Sequence, residues 1–462
     1  MNVLEKSALL TLVNSPHPTA VPATSTRPSS RRRFLRNSAL VGTSALAFPY
    51  VAQATVLGAN SRLNIAGIGV GGKGWVDITS CDSQNIVGLC DVDADRLAKA
   101  KEKYPRAAVF SDWRELFEKH GKNFDAVTVS TPDHTHFPAS MAAIRLGKHV
   151  YCQKPLTHTV WEARQLAMAA RKAKVATQMG NQGMSHPVLQ REAEIIRAGA
   201  CGSVREIHIW TDRPGNWWRQ GIERSEPKPV PAGLAWDLWL GVAPKRPYAE
   251  GYHSFLWRGH WDFGTGAIGD MGCHLLNLPT LVWPLVDPIS VEADSLGATL
   301  ESPPVASRIR WDFPAAPGRP PMKLIWYDGG RRAASELFGG KITEENGVLV
   351  IGDKDTFLTS YNGGGRFLST AKVEDFASAP SFLPKRGEWD RNHYEEWIAA
   401  CQGGPKPVSN FDVSGPVSEA VLLGNIAIRT GQKFKWNAAT LKADLPAANA
   451  LVTKVYRPGW GV

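Results

Sequence analysis

The sequence predicts an α/β protein in two parts: a doubly wound parallel sheet first, then an α+β domain on a largely antiparallel open sheet. From Leu63 to about Gly180, short and wholly apolar runs alternate with amphipathic stretches of helical length. Strands buried on both faces and separated by helices mean a parallel sheet covered on each side. After Gly199 the apolar positions alternate instead, and long loops rich in Gly, Pro and Trp separate the runs. A glycine-rich turn, Gly67–Gly72, joins the first apolar run to the first helical one.

Residues 1–54 read as a targeting segment rather than as part of either domain. Ser30-Arg31-Arg32-Arg33-Phe34-Leu35-Arg36 precedes an apolar stretch, Ala39–Phe48, that ends near Ala52-Gln53-Ala54. This is the order of a twin-arginine export signal with a small-residue cleavage site. The translocase of that route is then a partner, and the periplasm the destination; an uncleaved signal would leave a membrane anchor. The apolar stretch is shorter than the roughly 20 residues of a membrane span. The segment holds six Lys and Arg against Glu5, so half of the chain's net charge of +10 lies in it. The mild excess left over the remaining residues gives no case for nucleic-acid binding. The six cysteines (81, 90, 152, 201, 273, 401) show no C-x-x-C pair and no zinc-ligand spacing, so no metal site is expected.

The first domain is placed at 60–180. Its predicted strands are Leu63–Ile68, Asn85–Cys90, Phe124–Ser130, His149–Cys152 and Ala176–Met179, with helices at Ala94–Tyr104, Trp113–His120, Pro138–Leu146 and Val160–Ala173. The second domain, 181–462, has strands at Val204–Thr211, Ile289–Ala293, Arg308–Phe313, Lys323–Tyr327 and Val348–Ile351. Helices at His393–Cys401 and Val413–Arg429 close the chain, while Gly363–Gly365 and Pro314–Pro321 read as exposed loops.

Gly67-Ile68-Gly69-Val70-Gly71-Gly72 satisfies the dinucleotide-binding fingerprint of the Rossmann fold. Gly67 permits the tight turn, Gly69 lets the backbone approach a pyrophosphate, and Gly72 brings helix and strand together. Asp91 ends the second strand 19 residues beyond Gly72, where an acid binds ribose hydroxyls and repels a 2′-phosphate. NAD is therefore expected rather than NADP. Thr131, Pro132, His134 and His136 follow the third predicted strand, and Lys154-Pro155 follows the next. A Lys leaving a strand into a Pro-fixed turn is rigidly aimed, and that X-Pro bond is a candidate for cis.

Together these residues resemble the glucose–fructose oxidoreductase, inositol dehydrogenase and rhizopine-catabolism (Gfo/Idh/MocA) family. The resemblance continues through Gly269-Asp270-Met271-Gly272-Cys273-His274 and the closing Gly424-Asn425-Ile426-Ala427. It implies catalytic roles for Lys154, Asp270 and His274, cofactor contacts from the fingerprint through Pro155, and a homo-oligomer. At i and i+4, Asp270 and His274 would share one helix face, with Asp270 orienting the imidazole or binding a hydroxyl. His274, near its ordinary pKa, would take the hydroxyl proton as hydride leaves the same carbon. One departure is Gln153, where the family carries Glu before the Lys; Lys154 thereby loses a neighbouring carboxylate.

Eight of the seventeen tryptophans lie between Trp210 and Trp283. They suit either sugar-binding faces, with Arg219, Arg258 and His260 binding hydroxyls or a carboxylate, or the packing of a core. The sequence thus describes an exported oxidoreductase acting on a sugar. The alternative is a redox-neutral glycoside hydrolase or lyase that oxidises its substrate transiently.

Overall fold

The computed structural model describes residues 62–461 apart from 284, 286, 341, 342 and 384–388. The segment expected to direct export, 1–54, lies outside the described residues. Six parallel strands form the first sheet: β1 (Asn64–Ile68), β2 (Asn85–Cys90), β3 (Ala108–Phe110), β4 (Ala126–Val129), β5 (His149–Cys152) and β6 (Thr177–Met179). Their order is β3-β2-β1-β4-β5-β6, with Ile68 paired to Cys90 on one side and Val129 on the other. The chain reverses its winding between β1 and β4, which opens a crevice at their carboxyl ends. The central strands are the most apolar: every residue of β4 is buried, whereas β3 at the edge is only half covered.

Helix signals are local and strong here. Asp93 caps Ala94–Lys103 by accepting the amides of Asp95 and Arg96, and Thr159 with Glu162 forms a capping box on Val160–Ala173. The helix expected from Pro138 begins at Asp133 instead, with Pro132 as its cap. Pro138 reads as a first-turn residue, but the fixed φ of Pro132 sets the start one turn and more earlier.

The second sheet has nine strands: β7 (Val204–Trp210), β8 (Ser290–Leu296), β9 (Ala306–Phe313), β10 (Met322–Tyr327), β11 (Gly347–Gly352), β12 (Thr356–Ser360), β13 (Gly363–Phe367), β14 (Phe434–Asn437) and β15 (Lys442–Ala443). They run in the order β13-β12-β11-β7-β10-β9-β8-β14-β15, and only β7 and β10 pair in parallel. Gly363–Gly365 is therefore no loop. It opens the edge strand β13, and a Cβ on Gly365 would stand 2.5 Å from the Phe357 ring. The glycine is there for close approach, and the missing side chains are what hid the strand.

Helix Phe411–Thr430, buried over most of its length, joins the two sheets' layers. It packs against helix Val160–Ala173 and against β8. Gly415 meets Ala167 on one side, and Trp311 donates from Nε1 to the Ala420 carbonyl on the other. All six cysteines are buried free thiols. Among the described residues no helix is long and apolar enough to cross a membrane.

Candidate active site

A cavity of about 540 Å³ opens at the carboxyl ends of β1, β2, β4 and β5. Gly69, Gly71, Gly72, Asp91, Thr131, Pro132, Lys154 and His274 line it; Gly67, His134, His136, Pro155 and Asp270 stand behind its wall. Gly69 has φ +77° and no room for a side chain, since a Cβ would lie 2.6 Å from the Ser130 carbonyl oxygen. The close-packing role expected of Gly72 belongs to Gly74, whose Cβ would fall 1.9 Å from the Gly69 oxygen. Gly72 has open space around it and is needed for its φ of +56°.

Asp91 Oδ2 accepts the amides of Val70 (2.9 Å) and Gly71 (3.2 Å), and Oδ1 that of Asp93 (3.0 Å). Burial raises its pKa, opposed by these amides. The carboxylate thus clamps the fingerprint turn while remaining on the cavity wall. This glycine turn, an acid at the end of β2 and the β4 loop together fit a dinucleotide. Arg96, which also lines the cavity, is paired with Asp93 at 3.3 Å.

The expectation that His134 and His136 touch a cofactor is corrected by their burial. His134 lies between the carbonyls of Phe263 and Trp239. His136 spans those of Pro155 and Thr131, both at 2.8 Å. Desolvation pushes His134 down to about 3 and His136 to about 4, and both serve as buried props between carbonyls. Pro155 itself is turned away from the cavity behind a cis Lys154–Pro155 bond and is held by His136.

Lys154 Nζ donates to Asp270 Oδ1 at 2.7 Å and to the Asp270 carbonyl at 2.9 Å. Arg258 Nε donates to the same Oδ1 at 3.0 Å, and Arg213 Nε stands 3.9 Å from Oδ2. Burial by itself would raise the Asp270 carboxyl; Lys154 and Arg258 outweigh it and hold the group well below the usual carboxylate range. Asp270 therefore anchors Lys154 and does not orient the imidazole as expected. His274 shares its helix, Gly266–Leu275, but its Nδ1 is buried without a partner, and the Tyr361 ring meets it edge-on at 5.4 Å. Burial first, and the Lys154 charge next, push His274 well below its ordinary value rather than leaving it near neutral.

Gln153 donates to the fully buried Asp77, at 2.9 and 3.1 Å, and Asp77 also accepts from Ser130 and Tyr394 at 2.6 Å. The counter-charge of Lys154 thus comes from Asp270, across the sheet junction, and not from residue 153. Sequence reasoning missed Asp133, which lines the cavity and accepts from Thr265 at 2.6 Å. Burial pushes its carboxyl up to about 7. It sits inside the segment already singled out, whereas Tyr361, from the β12–β13 turn, carries no local signal. Of the eight clustered tryptophans only Trp239 and Trp257 line the cavity; Trp210, Trp218, Trp261 and Trp283 are core. Arg258 lines it too, but His260 is buried against Glu301 at 3.0 Å, and Arg219 is absent from its wall.

Residues 253–258 run along the cavity and are tied at both ends. His253 pairs with Asp93 at 3.3 Å and Ser254 accepts from Arg96 at 3.2 Å, beside the end of β2. Arg258 fastens the other end to Asp270.

Residues 63–181 match the profile of an oxidoreductase family, NAD-binding Rossmann fold, and residues 193–309 match that of an oxidoreductase family C-terminal alpha/beta domain. The D-apiose dehydrogenase of Paraburkholderia graminis is 28% identical over 384 residues, covering 81% of this chain and 88% of that protein. The uncharacterized oxidoreductase YdgJ of Escherichia coli is 30% identical over 193 residues, 40% of this chain, and the match spans about half (51%) of its length. The fold is shared with the WlbA dehydrogenase of Bordetella pertussis, solved with NADH and UDP-GlcNAcA (TM-score 0.58, 16% identity, 81% and 99% of the two chains). It is shared equally with an inositol dehydrogenase homolog of Azotobacter vinelandii, solved with NADH and myo-inositol (TM-score 0.57, 16% identity, 82% and 100%).

Proposed function

Because this chain belongs to the Gfo/Idh/MocA oxidoreductase family in both its NAD-binding and its C-terminal domain, we propose that it is an exported oxidoreductase. It moves hydride between a sugar hydroxyl carbon and a nicotinamide that it keeps. The observation that carries this is the Lys154–Asp270 pair, set beside His274 in the cavity that the fingerprint opens. The cofactor supplies the hydride acceptor. Lys154, its ammonium fixed by Asp270, donates to the sugar oxygen and polarises it. His274, on the same wall, is the imidazole placed to accept the hydroxyl proton. Trp239 and Trp257 offer apolar faces to a ring.

Retention follows from the segment 253–258, fastened at Asp93 and at Asp270, which spans the cleft a dinucleotide would fill. That suits a protein carried folded across a membrane with its cofactor aboard. Asp133 favours the redox-neutral variant of this reading, cleavage of a glycoside by transient oxidation. Simple hydride transfer uses one proton acceptor, whereas elimination and rehydration use a second, and Asp133 stands on the same wall with its carboxyl pushed up to about 7 by burial. Self-assembly through the open face of the second sheet belongs to the same proposal and is checked by light scattering.

The deciding experiment is to denature the exported, purified protein and measure nicotinamide per chain. Near-stoichiometric NAD is expected; a protein that leaves the cell empty and binds NAD weakly overturns the retained-cofactor reading. Lys154→Ala and His274→Ala should abolish turnover and keep their cofactor.

A further inference from the structure

The charges around the reaction centre do not balance, and the donors left over point to the missing partner. Three cations, Lys154, Arg213 and Arg258, converge on Asp270, with side chains 13%, 13% and 17% exposed. Two carboxylates lie at ion-pair distance from them: Asp270, and Asp212 beside Arg213. Asp133, the other acid nearby, accepts the Thr265 hydroxyl. Three cations thus share two carboxylates in a largely desolvated site, an arrangement that costs stability unless an anion joins it.

The guanidiniums are held for such an anion. Arg258 spends Nε on Asp270 and Nη1 on the Phe255 carbonyl, while Nη2 makes no hydrogen bond among the described residues. Its plane lies 4.3 Å from the Phe255 ring centroid and 4.2 Å from that of Trp257, which fixes its orientation. Arg213 is stacked at 3.6 Å on Trp217, and its buried Nε has no hydrogen-bond partner. Arg258 shares Asp270 Oδ1 with Lys154. Arg258 and Lys154 therefore flank one carboxylate oxygen, close enough for one sugar ring to meet both.

We propose that the substrate is a sugar acid, a ring carrying one carboxylate, bound through Arg258 with Arg213 behind it. The inference rests on the oxidoreductase reading of the site. A carboxylate matches an excess of one charge, where a phosphate monoester would overshoot it. A pyrophosphate of the cofactor belongs at the glycine turn and does not answer this excess.

The test uses the holoprotein and matched pairs, glucose with glucuronate and galactose with galacturonate, plus glucose 6-phosphate, following reduction of the bound nicotinamide. One uronate is expected to exceed its neutral twin in kcat/KM. Arg258→Leu should cost that uronate about ten- to a hundredfold, as loss of a charge-assisted hydrogen bond does. The neutral twin should lose less, so the ratio of the two kcat/KM values falls, with Arg258→Lys restoring part of that ratio. Because Asp270 could shift in the leucine variant, uronate binding is also measured by tryptophan quenching in the wild type against ionic strength; weakening with salt is expected. Neutral or phosphorylated sugars reducing the cofactor as well as uronates, with salt-insensitive binding, overturn the proposal and leave the oxidoreductase reading standing. Reduction by no sugar of either class overturns both.

Discussion

Asp270→Asn is the perturbation that most directly tests how this site is held together. The substitution keeps the shape of the side chain but leaves Lys154, Arg258 and Arg213 without the carboxylate they share. Removing one partner of a buried ion pair costs roughly 3–5 kcal/mol. With Asp270 at 12% exposure, about 3 kcal/mol is the reasonable figure. The sign with pH separates this from a lost hydrogen bond. The folded-state pKa of Asp270 is depressed, so its contribution is fully present above the unfolded carboxylate value of about 3.9. It fades as pH falls from there toward the folded value. Urea unfolding at saturating NAD should therefore show a wild-type advantage of about 3 kcal/mol near pH 7 that shrinks below about pH 4. A difference of about 1 kcal/mol at every pH is what a neutral hydrogen bond gives, and would refute the electrostatic account.

Asp133→Asn carries the opposite sign. Its carboxyl is raised to about 7 by burial, so the wild type loses stability as pH climbs from about 4 through 7 and the variant does not. The variant's relative stability should rise with pH in the same unfolding assay, and the near-neutral limb of the kcat profile should vanish; an unmoved profile would leave Asp133 as a tether for Thr265. Gly74→Ala should cost more than about 3 kcal/mol, because its Cβ meets backbone at 1.9 Å, whereas Gly72→Ala meets no atom and should cost only the strain of its φ +56°, ψ −119° backbone, roughly 1–3 kcal/mol. Equal losses would show that both positions serve conformation alone. Asp91→Ala removes the clamp on the Val70 and Gly71 amides and should release NAD on dialysis; full retention would put the ribose elsewhere.

The first sheet was legible because its signals are local. β1, β2, β4 and β5 are runs of apolar residues that only a two-sided burial explains, and caps such as Asp93 and Thr159 mark the helix starts. β3 escaped because three half-covered residues make no pattern, and β13 because its first three residues are glycine. Among site residues, the fingerprint, Asp91 and Lys154 announced themselves by position after a strand. The roles within the set did not. Whether Gly72 or Gly74 packs against Gly69 depends on a turn geometry that both sequences of events would spell the same way.

The partner of Asp270 shows the deeper reason. On the helix, His274 is its i+4 neighbour, and one-dimensional spacing favours that pair. In three dimensions Lys154 and Arg258 arrive from separate loops and place two cations on one oxygen, at 2.7 and 3.0 Å. A neutral imidazole cannot compete with an ammonium and a guanidinium for a desolvated carboxylate. His274 is thereby left with an Nδ1 that is unpartnered among the described residues and a pKa pushed well below its ordinary value, a weaker base than the i, i+4 spacing implied.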